Sequence, residues 1–337
     1  MSVLSEIRFD EISTRFKALD PILVVGDLGI DKYTYGDVKR ISPEAPVPVL
    51  EVTKEWLKLG LAANISHNLD TLQVPSTLCG VIGEDLNGKV FHNLMKESSL
   101  DSNCLITVPG RPTTFKERVV TNTQQICRVD YESKELVSGS VVKQILERVQ
   151  KEADSHSALI IEDYGKGTFS RELIAGLVEI FRGQKKLVTA DPSRSTPPIF
   201  FEGVTLLKPN QIEAELMVQA LGFRDTAVEK MAEILTDKLN LEKIVITMGG
   251  DGMALLDTKN SKGLEIIPTL ATEVFDVSGA GDTAISAITS ALLAGSSLKE
   301  ACWIGNCASG VVVGKTGTAT VSMEELKSFH QLISQSL

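Results

Sequence analysis

Short apolar runs rich in Val and Ile recur along the chain: PILVVGD (21–27), STLCGVIG (76–83), ALIIEDYGKG (158–167), KLVTADPS (186–193), VTLLKPN (204–210) and KIVITMGG (243–250). Each is followed by apolar positions at helical spacing, so strands alternate with helices. That alternation predicts an α/β fold in three layers, with a mostly parallel central sheet covered by helices on both faces. Ligands of such sheets bind beyond the carboxyl ends of the strands. Polar residues collect at those ends here: Asp27 and Asp31, Asp163, Asp191, Asn210 and Thr247.

Two segments break the rhythm. VPVLEVTKEW (47–56) and TTFKERVVTNTQQICRVDYE (113–132) read as strands, the second turning at TNTQQ. They predict a small β-sheet lid drawn from about residues 32–57 and 105–132, over the site or at a dimer surface. The other reading is a pair of edge strands on the main sheet; the interruption of a regular series favours the lid. With no repeat or linker in between, residues 1–337 are expected to form one domain. The opening MSVLSEIRFDEISTRFKALD mixes charge into its apolar positions and reads as an amphipathic helix, not a signal peptide.

The stretch FDVSGAGDTAIS (275–286) puts Gly279, Ala280 and Gly281 before Asp282, and an apolar helical pattern runs on to Gly295. A glycine turn thus feeds a helix N-terminus, whose unpartnered N–H groups favour an anion. Two readings stand side by side: a capped helix whose Asp282 complements the dipole, or an anion hole with a carboxylate beside it. LLKPNQIEAELM places Asn210 and Glu213 at capping-box spacing. The same pair could organise Mg²⁺ through waters. VITMGGDGMALL (245–256) reads as a hairpin turning at Gly249, Gly250 and Gly252, or as a close approach to a nucleotide. EDYGKG sets Asp163 and Lys166 at a strand end. Lys116, Arg118 and Arg128 lie in the lid strands, where they either solubilise the surface or line a pocket for a phosphorylated substrate.

Composition narrows the classes. A net charge of −10 without a dense basic run argues against nucleic acid, and no apolar run is long enough to span a bilayer. The 5 cysteines form no C-x-x-C pair and read as reduced thiols of a cytoplasmic protein. His67, His92, His156 and His330 have no metal or triad spacing and read as structural.

With these pieces in order, the chain resembles the ribokinase (PfkB) family of sugar kinases over nearly its whole length. DVSGAGDTAISAIT fits that family's C-terminal signature. Within the family the likeness is nearest to the kinases that phosphorylate D-glycero-β-D-manno-heptose 7-phosphate at O1, on the route to ADP-heptose and lipopolysaccharide. It is carried by VGDLGIDKYTYG (25–36), RISPEAPVPV (40–49), PTTFKERVV (112–120), DYGKG and VVVGKTGTATVS. The resemblance implies a ribokinase-like fold, ATP and Mg²⁺, a small-molecule sugar phosphate and a homodimer through the lid. It implies the kinase step alone, since the H-x-G-H nucleotidyltransferase part of bifunctional forms has no counterpart in these residues. Asp282 would be the base and Gly279, Ala280 and Gly281 the anion hole. Asn210 and Glu213 would serve Mg²⁺, with Glu213 acting through water, and Thr247, Gly249, Gly252 and Asn306 would serve the nucleotide. Asp31, Gly60 and Asn64 would hold sugar hydroxyls, joined by Asp163. Lys116, Arg118 and Lys166 are assigned to the substrate phosphate by charge and placement.

Two positions depart from the family. GLAAN has Leu61 where the family has glycine, which is expected to crowd the sugar or demand an unfavourable φ. Gln73 stands where Gly or Ser is the rule. Two further readings are kept beside the first: a family kinase for another sugar, and a catalytically silent sugar-phosphate-binding regulator. Asp282 with its glycines argues against silence.

Overall fold

The computed structural model describes residues 4–98, 100–122, 124–260, 263–271 and 273–336. Among these the chain forms thirteen strands: β1 (Ile22–Gly26), β2 (Leu28–Ile41), β3 (Pro48–Leu61), β4 (Ser76–Gly83), β5 (Leu105–Val108), β6 (Thr114–Val120), β7 (Gln125–Tyr131), β8 (Ala158–Glu162), β9 (Leu187–Asp191), β10 (Leu206–Leu207), β11 (Lys243–Thr247), β12 (Met253–Asp257) and β13 (Glu265–Ile267). Nine of them make one sheet in the order β13-β12-β11-β10-β9-β8-β1-β4-β5, all running the same way except β12, which pairs antiparallel with both β11 and β13.

The central strands are buried throughout, which explains their continuous apolar runs. Alternate residues serve opposite cores: Ile22, Val24 and Ile160 pack on one face, Leu23, Val25, Leu159 and Ile161 on the other. The first face is covered by α1 (Glu6–Ser13), α2 (Ala62–Thr71), α3 (Leu86–Glu97), α8 (Ala280–Leu293), α9 (Leu298–Val313) and α10 (Met323–Ser336). On the second lie α4 (Gly139–Glu152), α5 (Arg171–Gly183), α6 (Gln211–Ala220) and α7 (Val228–Lys238). The expected three-layer fold is therefore present.

The two interrupting segments form a separate four-stranded sheet, β3-β2-β6-β7, rather than edges of the large one. Its bounds differ from expectation. It begins at Leu28, because β2 leaves β1 after the single residue Asp27, and Leu105–Val108 pairs with β4 in the large sheet instead. β2 escaped the apolar pattern because polar Asp31 and Thr34 are among its buried residues. The turn joining β6 and β7 includes Thr123, outside the described residues. VTLLKPN yields only two strand residues, since Pro209 has no N–H to continue a ladder.

Both departures from the family pattern sit in glycine-favouring backbone. Leu61, the last residue of β3 and the N-cap of α2, adopts φ 57° and ψ −136°, and Gln73 adopts φ 61°. Leu61 is buried, its Cδ1 lying 3.0 Å from where a Cβ on Gly29 would be. The unfavourable φ is real. Among the described residues no helix is long and apolar enough to cross a membrane, and no group of three or more His, Cys, Asp or Glu could hold a metal ion.

Candidate active site

The N-terminus of α8 lies where the cavities of the large sheet converge. Gly279 adopts φ 81°, and a Cβ there would fall 2.9 Å from Asn64 Nδ2, so both backbone and space call for glycine. The Ala280 N–H closes the turn by donating to Val277 O at 3.2 Å. Among the described residues none accepts from the N–H of Gly279, Gly281 or Asp282. Of the Gly279, Ala280 and Gly281 expected to form an anion hole, Ala280 has its N–H engaged in the turn, while the N–H of Asp282 is unpaired among the described residues, beside those of Gly279 and Gly281.

The Asp282 carboxylate is buried and held at both oxygens. Asn64 Nδ2 donates to Oδ2 at 2.6 Å and the Tyr164 hydroxyl to Oδ1 at 2.6 Å. Burial pushes its pKa up to about 6, the two donors and Lys208 pull the other way, and Asp191 adds to the rise. The carboxylate is therefore ionised at neutral pH with a proton affinity suited to a general base. Lys208, also buried, pairs with Asp191 at 2.5 Å. Burial acts against its charge, but Asp191 and Glu162 outweigh that and hold its pKa above the usual value. Lys208 Nζ lies 3.4 Å from where a Cβ on Gly281 would be, beside the free N–H groups.

Two adjoining cavities meet here. One, of about 440 Å³, is lined by Gly249, Gly252, Met253, Ala271, Val277 and Ala280 among others, and its apolar walls suit a flat heterocycle. The other, of about 650 Å³, is bordered by charged and polar residues, among them Asp163, Lys208, Asn210, Glu213 and Asp282, with Gly281. Thr247, Gly249, Val277 and Gly281 line both. Asn306 lines the first, but its amide already holds Leu270 N and Pro268 O, so it fixes the loop along that cavity. Asn210 and Glu213 form the expected capping box. Glu213 Oε2 accepts from Asn210 N at 2.9 Å, and burial raises the carboxyl's pKa. Its Oε1 lies 3.8 Å from Arg194 Nε along the second cavity, and a carboxylate oxygen so placed fits a largely hydrated divalent cation.

The small sheet brings its charges to the other side of Asp282. Cross-strand register aligns Lys58, Asp31, Lys116 and Asp130 in one row. Asp31 pairs with Arg118 at 2.6 Å, and its Oδ2 fills the space beside Gly60, 2.6 Å from a hypothetical Cβ there. Lys166 pairs with Glu132 at 2.6 Å. Lys116 has no carboxylate within ion-pair distance among the described residues; its Nζ lies over the Tyr164 ring at 5.7 Å, and burial lowers its pKa, with Lys166 adding to the effect. Of the three cations assigned to a substrate phosphate, Lys116 alone has no ion-pair partner among the described residues, although Asp31, Glu132 and Asp130 favour its charge from farther off. Asp163 reaches the polar cavity but accepts from Gly165 N and Ser193 Oγ, which ties down the loop after β8.

Sequence reasoning passed over Tyr164, Glu162 and Lys208 as site residues, though all three lie in quoted motifs. Their chemistry depends on neighbours supplied by other strands. Of the histidines, His156 bonds Thr77 and His330 stacks on Phe9 and meets Trp303, both structural.

The pattern of the pfkB family carbohydrate kinases matches residues 22–326. The chain belongs to that family. As a pfkB-family carbohydrate kinase it is a phosphotransferase acting on a sugar hydroxyl. It is 40% identical over 306 residues to the Bifunctional protein HldE of Helicobacter pylori strain Shi470, covering 90% of this chain and 65% of that protein. It is 39% identical to the proteins of the same name from Wolinella succinogenes and Sulfurimonas denitrificans, covering 93% and 94% of this chain and 66% and 65% of theirs. The chain thus spans just under two thirds of these relatives' length. Its fold is similar to Arabidopsis thaliana ribokinase complexed with ribose and ATP, with a TM-score of 0.70 at 17% identity over 93% of this chain and 99% of that one. It is also similar to Escherichia coli phosphofructokinase-2 in complex with potassium, with a TM-score of 0.75 at 18% identity over 94% and 99%.

Proposed function

We propose that this pfkB-family kinase transfers the terminal phosphoryl group of ATP to O1 of D-glycero-β-D-manno-heptose 7-phosphate. The observation that carries the reading is the placement of Asp282: a buried carboxylate lining the second cavity, one residue on from the Ala280 and Gly281 that line the apolar cleft, and bonded to Tyr164, over whose ring Lys116 lies. The HldE relatives and the likeness of RISPEAPVPV and DYGKG to heptose 7-phosphate kinases support the choice of sugar.

In this reading Asp282 accepts the proton of the attacking hydroxyl. The N–H groups of Gly279, Gly281 and Asp282, with Lys208 beside them, stabilise the charge of the phosphoryl in flight. Thr247, Gly249 and Gly252 flank the nucleoside, with Asn306 holding their opposing loop. Asp31, Gly60, Asn64 and Asp163 define the sugar side, and Lys116, supported by Arg118 and Lys166, meets the distant phosphate. Mg²⁺, when bound through water near Asn210 and Glu213, supplies charge neutralisation on the nucleotide phosphates.

The test is ADP release with ATP and Mg²⁺ over heptose 7-phosphate, sedoheptulose 7-phosphate, fructose 6-phosphate, ribose and adenosine, with Asp282→Asn as control. Turnover confined to heptose 7-phosphate is expected. Turnover on another sugar instead would retain the kinase and overturn the substrate.

The reading includes a homodimer through the small sheet. Strand alternation puts Leu57 and Val129 on the face opposite Asp31 and Lys116, where they are exposed together with Tyr131. Light scattering should give twice the monomer mass, and Val129→Lys should halve it; a monomer at all working concentrations would defeat this part.

A further inference from the structure

Resting on the assignment of Asp282 as base, we propose that Tyr164 is a positioning residue for the reaction, its hydroxyl locking the Asp282 carboxylate in its charged, aimed state. The geometry is specific. Tyr164 donates to Oδ1 while Asn64 takes Oδ2, so the carboxylate cannot turn about its Cβ–Cγ bond without breaking one of two 2.6 Å bonds. One lone pair on each oxygen is left for a substrate hydroxyl.

The tyrosine is itself held from both ends. Its backbone N–H donates to Asp27 Oδ2 at 2.8 Å, and the same carboxylate takes the N–H groups of Lys166 and Thr168. Asp163 pins the adjacent Gly165. On the ring side Lys116 approaches the face. The loop after β8 is therefore a rigid mount, and the phenol is its contribution to the site.

Chemistry explains why a phenol serves here. The groups facing Asp282 are Glu162 and Tyr164 from the end of β8, Asp191 from β9, Lys208 from the segment after β10 and neutral Asn64 from α2. Two of these are carboxyls, so the site resists another negative charge. Burial, Asp282 and Glu162 all raise the phenol's pKa, so Tyr164 keeps its proton and remains a donor across the working pH range. A donor to the ionised carboxylate stabilises that form, and for a charged acceptor the effect is about 1.5–3 kcal/mol, or roughly one to two pH units. Without it, burial would leave half or more of Asp282 protonated, and so unable to accept a proton, at neutral pH.

The experiment is direct titration of Asp282 in the full chain by carboxyl-carbon NMR after aspartate labelling, the resonance assigned by its loss in Asp282→Asn. Tyr164→Phe is expected to raise the Asp282 midpoint by about one to two pH units. The acid limb of turnover should shift by the same amount, with rates recovering at high pH. An unmoved midpoint, or an equal loss of rate at every pH, overturns the proposal. If Tyr164→Phe fails to fold, 3-fluorotyrosine at position 164, a stronger donor of the same shape, should lower the midpoint, and no change would overturn it. The two readings fail separately. Parental turnover by Asp282→Asn removes the base assignment and this proposal with it. A dead Asp282→Asn beside an unmoved Asp282 midpoint in Tyr164→Phe removes the role of Tyr164 alone.

Discussion

Asn64 Nδ2 lies 2.6 Å from Asp282 Oδ2, although 218 residues separate them in the chain. The contact joins the first turn of α2, which follows directly from the small sheet, to the first turn of α8, which adjoins both cavities. Asp282, the base of the proposed reaction, is thereby tied to the helix that follows the small sheet.

Turnover should fall as pH drops through about 6, because Asp282 must be ionised to accept a proton. The sign for stability is opposite. The carboxyl's pKa is higher in the folded chain than in the unfolded, so its ionised form weakens the fold at pH values above the folded pKa. Asp282→Asn should therefore melt higher than the parent at pH 8, with the gain gone at pH 4; a gain equal at both would refute the linkage.

The Lys208–Asp191 pair is buried, so removing one partner strands a charge. Lys208→Met should lose about 3–5 kcal/mol in urea denaturation. The double variant Lys208→Met/Asp191→Asn should regain most of this stability but not the turnover. Restored turnover would exclude a role for Lys208 beside the N–H groups of α8.

Lys116→Met should raise the KM for the phosphorylated sugar by roughly 10- to 100-fold, the loss expected for a charge-assisted contact. The KM for ATP should stay within a factor of two or so, because the residue faces Tyr164 and not the nucleotide cavity. Equal effects on both would move the phosphate site elsewhere.

Gln73 is exposed and follows α2 in left-handed backbone, where Gln73 N bonds Asp70 O and Val74 N bonds Leu69 O. Gln73→Gly should stabilise the chain by about 0.5–1 kcal/mol, the relief of φ strain less the added freedom of the unfolded state. Thermal unfolding reads this directly, and a lower melting temperature would contradict it. Leu61 shares the unfavourable φ but is buried, so the same exchange there would also remove packing.

The central strands, the small sheet and the glycine turn at 279–281 were legible because each rests on a local signal: a fully apolar run, a break in alternation, or residues that only a turn accommodates. β2 was not, since its inward polar residues mask the period. Nor was the hydrogen-bonding state of Ala280, whose N–H partner is set by how the turn closes. Motif spacing picked out Asn210 and Glu213, and the capping box it predicted is present.

By itself, then, the sequence determined the layered α/β architecture and the helix turn that exposes N–H groups, because periodicity and glycine conformation act over a few residues. Its longer motifs carried the kinase resemblance. Only the tertiary structure decided the state of the charges. Tyr164, Asn64, Glu162, Asp191 and Lys208 come from separate elements, and a carboxylate's proton affinity depends on the burial and neighbours that folding imposes. It also decided which cation is free: Arg118 and Lys166 meet Asp31 and Glu132 across strands and loops, leaving Lys116 without a carboxylate partner.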